Sequence, residues 1–273
     1  MKNILIGLLS FFSFGVSAGI PTLSNVTQAE LDNISKEFAA NFVHTVVAPA
    51  KSLGHTWGFE IGVFGGITQT PDLEAVVKRV SSSTIVNKVY HGGALGMLTI
   101  PWGITMEATY FPKKSIAGIT ADSWSVGAKW TVTEYYPLSP WIDLAIRAHT
   151  SNAGLSYSQS STTATTVVSG TINVDTTVWG ANIVASSDIL FFEPYLGLGF
   201  LKGKTDVKFN ATGSGTIFAT NVTLSGGNSV TSKQTSTHLF AGLQLDLFLF
   251  HIAGEWASAF GTNSYTGKVS FYF

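Results

Sequence analysis

From Thr56 to the last residue, apolar and polar side chains alternate in segments of about ten residues. The cleanest runs from His238 to Leu247, where Leu239, Ala241, Leu243, Leu245 and Leu247 interleave with His238, Phe240, Gly242, Gln244 and Asp246. At the end of the chain Tyr265, Gly267, Val269, Phe271 and Phe273 share one face, and Thr266, Lys268, Ser270 and Tyr272 the other. A period of two is a strand with one face in an apolar medium. Ten such segments are expected: 57–68, 89–100, 103–111, 117–133, 141 onward, a sixth ending near 186, 193–207, 238–247, 251–260 and 265–273. Eight or twelve follow if the stretches near 76–80 or 217–224 pair differently.

The connections sort by parity. After the second, fourth, sixth and eighth segments they are short and hold turn residues such as Pro101-Trp102, Pro137, Pro140 and Ser187-Asp188. After the first, fifth and seventh they are long and polar: 70–88, 156–169 and 210–236; Pro112–Ser115 links the third segment to the fourth. Aromatics gather at both ends. Trp57, Trp102, Tyr135, Tyr136, Trp141, Phe248, Phe250 and Phe273 mark the short-turn end; Tyr90, Tyr110, Phe111, Phe200, Phe260 and Tyr265 mark the other. Two aromatic girdles suit two lipid–water boundaries.

One stretch breaks the alternation. Leu31, Ile34, Phe38, Phe42 and Val46 recur at helical spacing over 27–47, Thr27 and Glu30 match a capping box, and Pro49 and Gly54 end the helix. Its expected place is the lumen, as a plug, or the periplasmic mouth, or simply the lead into the first strand. Ahead of it, Lys2, the apolar run 4–15 and the small residues Val16-Ser17-Ala18 read as a signal peptide over 1–18. The expected division is therefore 1–18 signal, 19–55 helical segment and 56–273 sheet.

Composition narrows the solvent. Charged residues are 11% of the chain against about 25% in soluble domains, and 45% are hydrophobic. After the N-terminus no apolar run reaches the ~20 residues of a membrane helix. A barrel with lipid on its outer face reconciles the two. The C-terminal pattern of Tyr265, Val269, Phe271 and Phe273 resembles the assembly signal strand of Gram-negative outer-membrane β-barrels. The chain is similar to small barrel families of unknown function in which a short helix precedes the first strand. The resemblance implies an all-β, transmembrane, antiparallel up-and-down barrel with both termini in the periplasm. Outer-membrane lipid and the barrel-assembly machinery are the implied partners. Net charge is −1, which gives no reason to expect nucleic acid, and the absence of cysteine excludes disulfides and thiol metal sites.

Candidate chemistry lies on the inward face. Glu107, Lys129 and Asp143, with Arg147, are expected side by side on strands three to five; Glu60, Glu255 and Lys268 meet across the closure, and Asp246 faces the same lumen. Such charges either pair to fill a narrow lumen or line a passage for a small polar solute. His91, Asp122, His149 and His238 fall toward the outer rim, but no Asp–His pair occupies alternate positions of one strand. A rim hydrolase is therefore a minor reading, and no enzyme, cofactor or metal is expected. The main expectation is a small channel or gated passage. The alternatives are a closed barrel displaying 156–169 and 210–236, and a soluble β-sandwich.

Overall fold

The computed structural model describes residues 28–80, 87–116, 119–136, 141–163, 166–217 and 220–273. The expected signal peptide, the capping residue Thr27 and the turn at Pro137–Pro140 lie outside these. Ten antiparallel strands follow helix α1 (Gln28–Asn41): β1 (Gly58–Gln69), β2 (Lys88–Ile100), β3 (Ile104–Ile116), β4 (Ile119–Thr131), β5 (Asp143–Thr163), β6 (Thr166–Ser186), β7 (Phe192–Ile217), β8 (Thr220–Leu247), β9 (Phe250–Ala259) and β10 (Thr262–Tyr272). Each strand pairs with its neighbours in sequence, and β1 pairs β10 to close the barrel. Phe273 extends the seam, exchanging backbone hydrogen bonds of 2.9 and 2.8 Å with Phe59. A closed sheet leaves no edge, which is what a sheet surrounded by lipid requires.

The alternation sorts side chains as expected. Phe59, Ile61, Val63, Met106, Val126, Trp130, Ile146, Leu196, Leu198, Leu243 and Val269 face outward and are exposed, while Glu60, Glu107, Lys129, Arg147 and Lys268 face inward and are buried. Exposed aliphatic side chains around a ring of buried ions invert a soluble protein, so the fold is a membrane barrel of the outer-membrane type. A two-sheet sandwich core is not present. No helix among the described residues is long and apolar enough to cross a membrane.

Three expectations change. First, the polar stretches 156–169 and 210–236 are largely strand: β5 with β6 stays paired as far as Thr163 and Thr166, and β7 with β8 as far as Ile217 and Thr220. Their 21 to 28 residues exceed the roughly 9–11 that cross a bilayer. Beyond the membrane both faces meet water, so polar residues extend the ladder and the period loses its apolar mark. Pro112–Ser115 likewise lies within β3, with a register shift between Phe111 and Lys114. Second, the connection after β1 contains helix α2 (Pro71–Val80). Third, Phe260 is not in the girdle; it is buried against Ala39, Ala40, Val178 and Leu201.

The two ends of the barrel are thus unlike. The turn end holds the reversals near 101–103, 187–191 and 248–249, residues 132–136 and the C-terminus; the hairpin end holds the long ribbons and α2. Helix α1 starts at the hairpin end: Asp32 and Ser35 lie beside Gln234 and Thr205, and Asn41 beside His91. The chain then descends the lumen in extended form, passing Ser151 at Phe42, Ser125 at His44 and Arg147 at Ala48. It reaches Asp188 and Thr99 of the turn end at Lys51 and Leu53. The helix stops at Asn41, short of the expected Val47. Both termini were expected at one end, yet the first described residue lies opposite the last.

Turn geometry constrains two glycines. Phe260 and Gly261 both have positive φ, 52° and 82°, as a two-residue hairpin reversal between β9 and β10 requires. Gly103 has φ 68°, and a Cβ there would lie 2.9 Å from the Thr131 carbonyl oxygen and 2.5 Å from a Glu134 carboxylate oxygen. Gly96, on the outer face of β2, would meet nothing within 4 Å. Urea unfolding followed by heat-modifiable gel mobility is expected to show Gly103→Ala destabilised by about 1–3 kcal/mol and Gly96→Ala unchanged. Equal midpoints for the two would contradict this reading of the turn.

Candidate functional site

Residues 42–57 run through the lumen without helix or sheet partners of their own, so their backbone groups must bond the wall. Inward side chains of the strands supply them. Lys129 Nζ donates to the carbonyls of Pro49 (2.6 Å) and Lys51 (2.8 Å), Thr131 to Ala50 (2.7 Å), Arg147 to Ala48 (3.2 Å) and Ser151 to Phe42 (2.5 Å). In return, Ser186 accepts from the Ala50 N–H at 3.2 Å and Thr99 from the Leu53 N–H at 3.1 Å. Between these fasteners, apolar side chains of the thread fill the gaps: Val46 and Ala48 against Leu95 and Met97, and Ala50 against Tyr195, Phe240 and Val184. Val47, fully buried, sits at φ 50°, an unusual conformation for a β-branched residue that the surrounding contacts hold.

The first expected charge cluster forms in part. Arg147 Nε lies 3.1 Å from Glu107, as the adjacent strands suggested. Lys129 instead turns to the thread. Asp143 stays apart at the turn end, accepting from the Thr133 hydroxyl at 2.9 Å. The group that completes the cluster is His44 of the thread, with Nε2 3.0 Å from Glu107 and Nδ1 2.6 Å from the Ser125 hydroxyl. A trio of one wall acid, one wall base and one thread histidine thereby fixes the thread at mid-lumen.

The second cluster also forms in part. Lys268 and His251 both meet Glu60, at 2.7 and 2.9 Å, and Ser270 donates to the same carboxylate at 2.6 Å. Asp246 joins through His251 Nε2 at 3.4 Å and accepts from Gln244 at 2.8 Å. Glu255 does not join. The register sets it beside Thr266 and Gly242, whereas Lys268 is beside Ala253; Glu255 takes the Tyr195 hydroxyl at 2.9 Å instead.

The expected rim histidines are inside the barrel. His91 bonds Asn41 (3.1 Å) and Thr266 (2.8 Å). Asn182 bridges two more, donating to His149 Nε2 at 3.1 Å and accepting from His238 Nδ1 at 3.2 Å. His149 stacks on His44 with ring centres 5.3 Å apart. Serine, histidine and carboxylate are therefore in line at Ser125, His44 and Glu107, the types that nucleophilic catalysis uses. Here they act as a fastener: Ser125 also bonds Thr109 at 2.5 Å, and the adjoining cavity, about 30 Å³, has room for one water. A larger cavity of about 100 Å³ opens at the turn end among Lys51, Glu60, Lys129, Glu193, Asp246 and His251. Among the described residues no cluster of His, Asp and Glu could hold a metal ion.

His44, Ser125, Ser151, Thr131 and Glu193 were not singled out from sequence. The Ser and Thr residues occupy regular inward positions and look like ordinary wall polarity; only the thread's course gives them partners.

Residues 25–271 match a family described as Family of unknown function (DUF6588). The chain belongs to that family. No curated protein matches the sequence. Among solved structures, the translocator domain of autotransporter NalP from Neisseria meningitidis is similar at 14% identity and TM-score 0.41, covering 81% of this chain and 89% of that one. Ail, the attachment invasion locus protein of Yersinia pestis, is similar at 13% identity and TM-score 0.32, covering 79% and 99%. The assignment of fold rests on the barrel's own closure and burial, not on these likenesses.

A latch joins thread and lid at the hairpin end. Glu37 of α1 accepts from the backbone N–H groups of Asp72 (2.7 Å) and Leu73 (3.0 Å) in the first turn of α2. Burial lifts the Glu37 carboxyl from 4.5 to about 7, against the opposing pull of the two N–H groups. Because the folded value lies above the unfolded one, this contribution to stability is complete below about 4.5 and fades as pH rises through about 7. Hydrogen exchange in α1 and α2, corrected for intrinsic rates, is expected to speed up between pH 5 and 8, and Glu37→Gln to flatten that rise. Parallel profiles for the two proteins would contradict the latch.

Proposed function

We propose that this protein is a gated passage for a small polar solute in a Gram-negative outer membrane, closed at rest by its own residues 28–57. In that membrane the short turns face the periplasm and the long hairpins face outward. Residues 1–18 serve as the export signal, and Tyr265, Val269, Phe271 and Phe273 as the strand read by the barrel-assembly machinery. The observation that supports gating is the kind of bond that holds the thread. Six wall side chains donate to its carbonyls, and water can replace each of those partners as the thread moves. A permanent seal needs only an apolar core. The wall left behind, with Glu60, Glu107, Lys129, Arg147 and Lys268, is polar enough to wet and to select by charge.

A second reading is a permanently closed barrel that displays its hairpins. It is favoured by the length of β7 and β8, 26 and 28 residues.

One cross-link separates the two readings. The Ala39 Cβ lies 3.2 Å from where a Cβ on Gly203 would be, a few tenths of an ångström inside the usual disulfide separation. With no native cysteine, Ala39→Cys with Gly203→Cys gives one bridge, from α1 to β7. In planar bilayers the wild type and the reduced double variant are expected to show brief current bursts, and the oxidised variant silence. Silence from all three would overturn gating and leave the display reading. Cutting the fastener with Lys129→Met is expected to raise the open fraction severalfold.

A further inference from the structure

At the hairpin end the outward face of β6, β7 and β8 changes from apolar to basic within one row of the sheet. Ala181, Phe200 and Thr237 stand level, then Trp179, Lys202 and Thr235, then Thr177, Lys204 and Lys233. Phe200 and Trp179 are 60% and 63% exposed, marking the edge of the lipid-facing band. Lys202 and Lys204 stand two and four residues further along β7. At ~3.4 Å per residue, reduced by tilt, both fall within the headgroup layer.

The next row out, Asp175, Asp206 and Thr231, compensates this charge only in part. Lys204 and Lys233 face each other across the ladder, where like charges are unfavourable. Lys204 is relieved by Asp206 at 2.6 Å, and that carboxylate also takes the Thr231 hydroxyl at 2.6 Å. Among the described residues, Lys202 and Lys233 have no ion-pair partner. A depression of about 430 Å³ opens beside them, lined also by Trp179, Thr177 and Thr235. The opposite end has no counterpart: the described outward wall there bears no lysine or arginine, and Lys51 belongs to the thread and pairs with Asp188.

We propose that Lys202 and Lys233, with Trp179 beside them, bind the phosphate of a lipid headgroup in the outer leaflet. The ring packs on the first methylenes of the acyl chains, and the two ammonium groups close on the phosphate oxygens with charge-assisted hydrogen bonds. A free solute would gain nothing from Trp179 at this height, whereas a phosphorylated glycolipid offers chain and charge together. The site rests on the reading that this barrel spans an outer membrane with its hairpins outward, and it is independent of gating.

The test uses the full chain refolded into phosphatidylcholine vesicles doped with diphosphorylated lipid A, or with the same glycolipid stripped of its phosphates. Native mass spectrometry of the extracted barrel counts retained glycolipid. Wild type is expected to prefer the phosphorylated form by roughly thirtyfold, the value for two lysines at headgroup height. Lys202→Gln with Lys233→Gln is expected to abolish most of that preference, and Lys202→Arg with Lys233→Arg to keep it, both with wild-type gel mobility. A large excess of inorganic phosphate should not displace the lipid. An unchanged preference in the double Gln variant, no preference in wild type, or displacement by inorganic phosphate would each overturn the site. Failure to insert into vesicles at all would overturn the membrane reading beneath it.

Discussion

A strand of backbone that crosses a barrel lumen has no ladder of its own. Every carbonyl it presents must find a donor on the wall, because unpaired peptide groups at membrane depth cost several kcal/mol each. That requirement explains the inner face of this protein better than any ion-pair count. Lys129 is fully buried and points at two peptide carbonyls, not at a carboxylate. Arg147 divides its guanidinium between Glu107 and Ala48. Lys129 and Arg147 belong to a backbone-binding surface, whereas Lys268 pairs with Glu60.

The same constraint shows how much the sequence could reveal. Alternation reports which face of a strand meets lipid, so closure, strand count and the inward placement of Glu60, Glu107, Lys129, Arg147 and Lys268 were all legible. It says nothing of a strand whose two faces both meet water, and the upper halves of β5 to β8 were therefore read as loops. Helical spacing fixed α1 but ran on through Phe42 and Val46, because a buried extended thread also needs apolar side chains at intervals. The partners of Asp143 and Glu255 depended on register, and one pair of residues along a strand was enough to separate Glu255 from Lys268. His44 could not be placed at all until the thread's path was known.

That path links the ends of the molecule. At the hairpin end, α1 is held to α2 by Glu37; at mid-lumen, His44 is held by Glu107 and Ser125; at the turn end, residues 49–53 are held by Lys129, Thr131 and Thr99. Any movement of the thread would break several of these fasteners together, and a small cavity among Lys51, Glu60 and His251 adjoins those at the turn end. A barrel of ten strands is wide enough to need such a filling. The filling used here is a piece of the chain itself, held to the wall by side-chain bonds to its backbone.

The direction of the thread is the most direct test. The chain has no cysteine, so Ala29→Cys, at the exposed start of α1, and His55→Cys, whose native side chain is 97% exposed beside Glu134 of the turn end, each give one reactive position. A membrane-impermeant maleimide added to intact cells is expected to label the position-29 variant at once and the position-55 variant only after the outer membrane is permeabilised. The reverse order, or protection of both until lysis, would contradict a thread that enters from the hairpin mouth and leaves at the turn end.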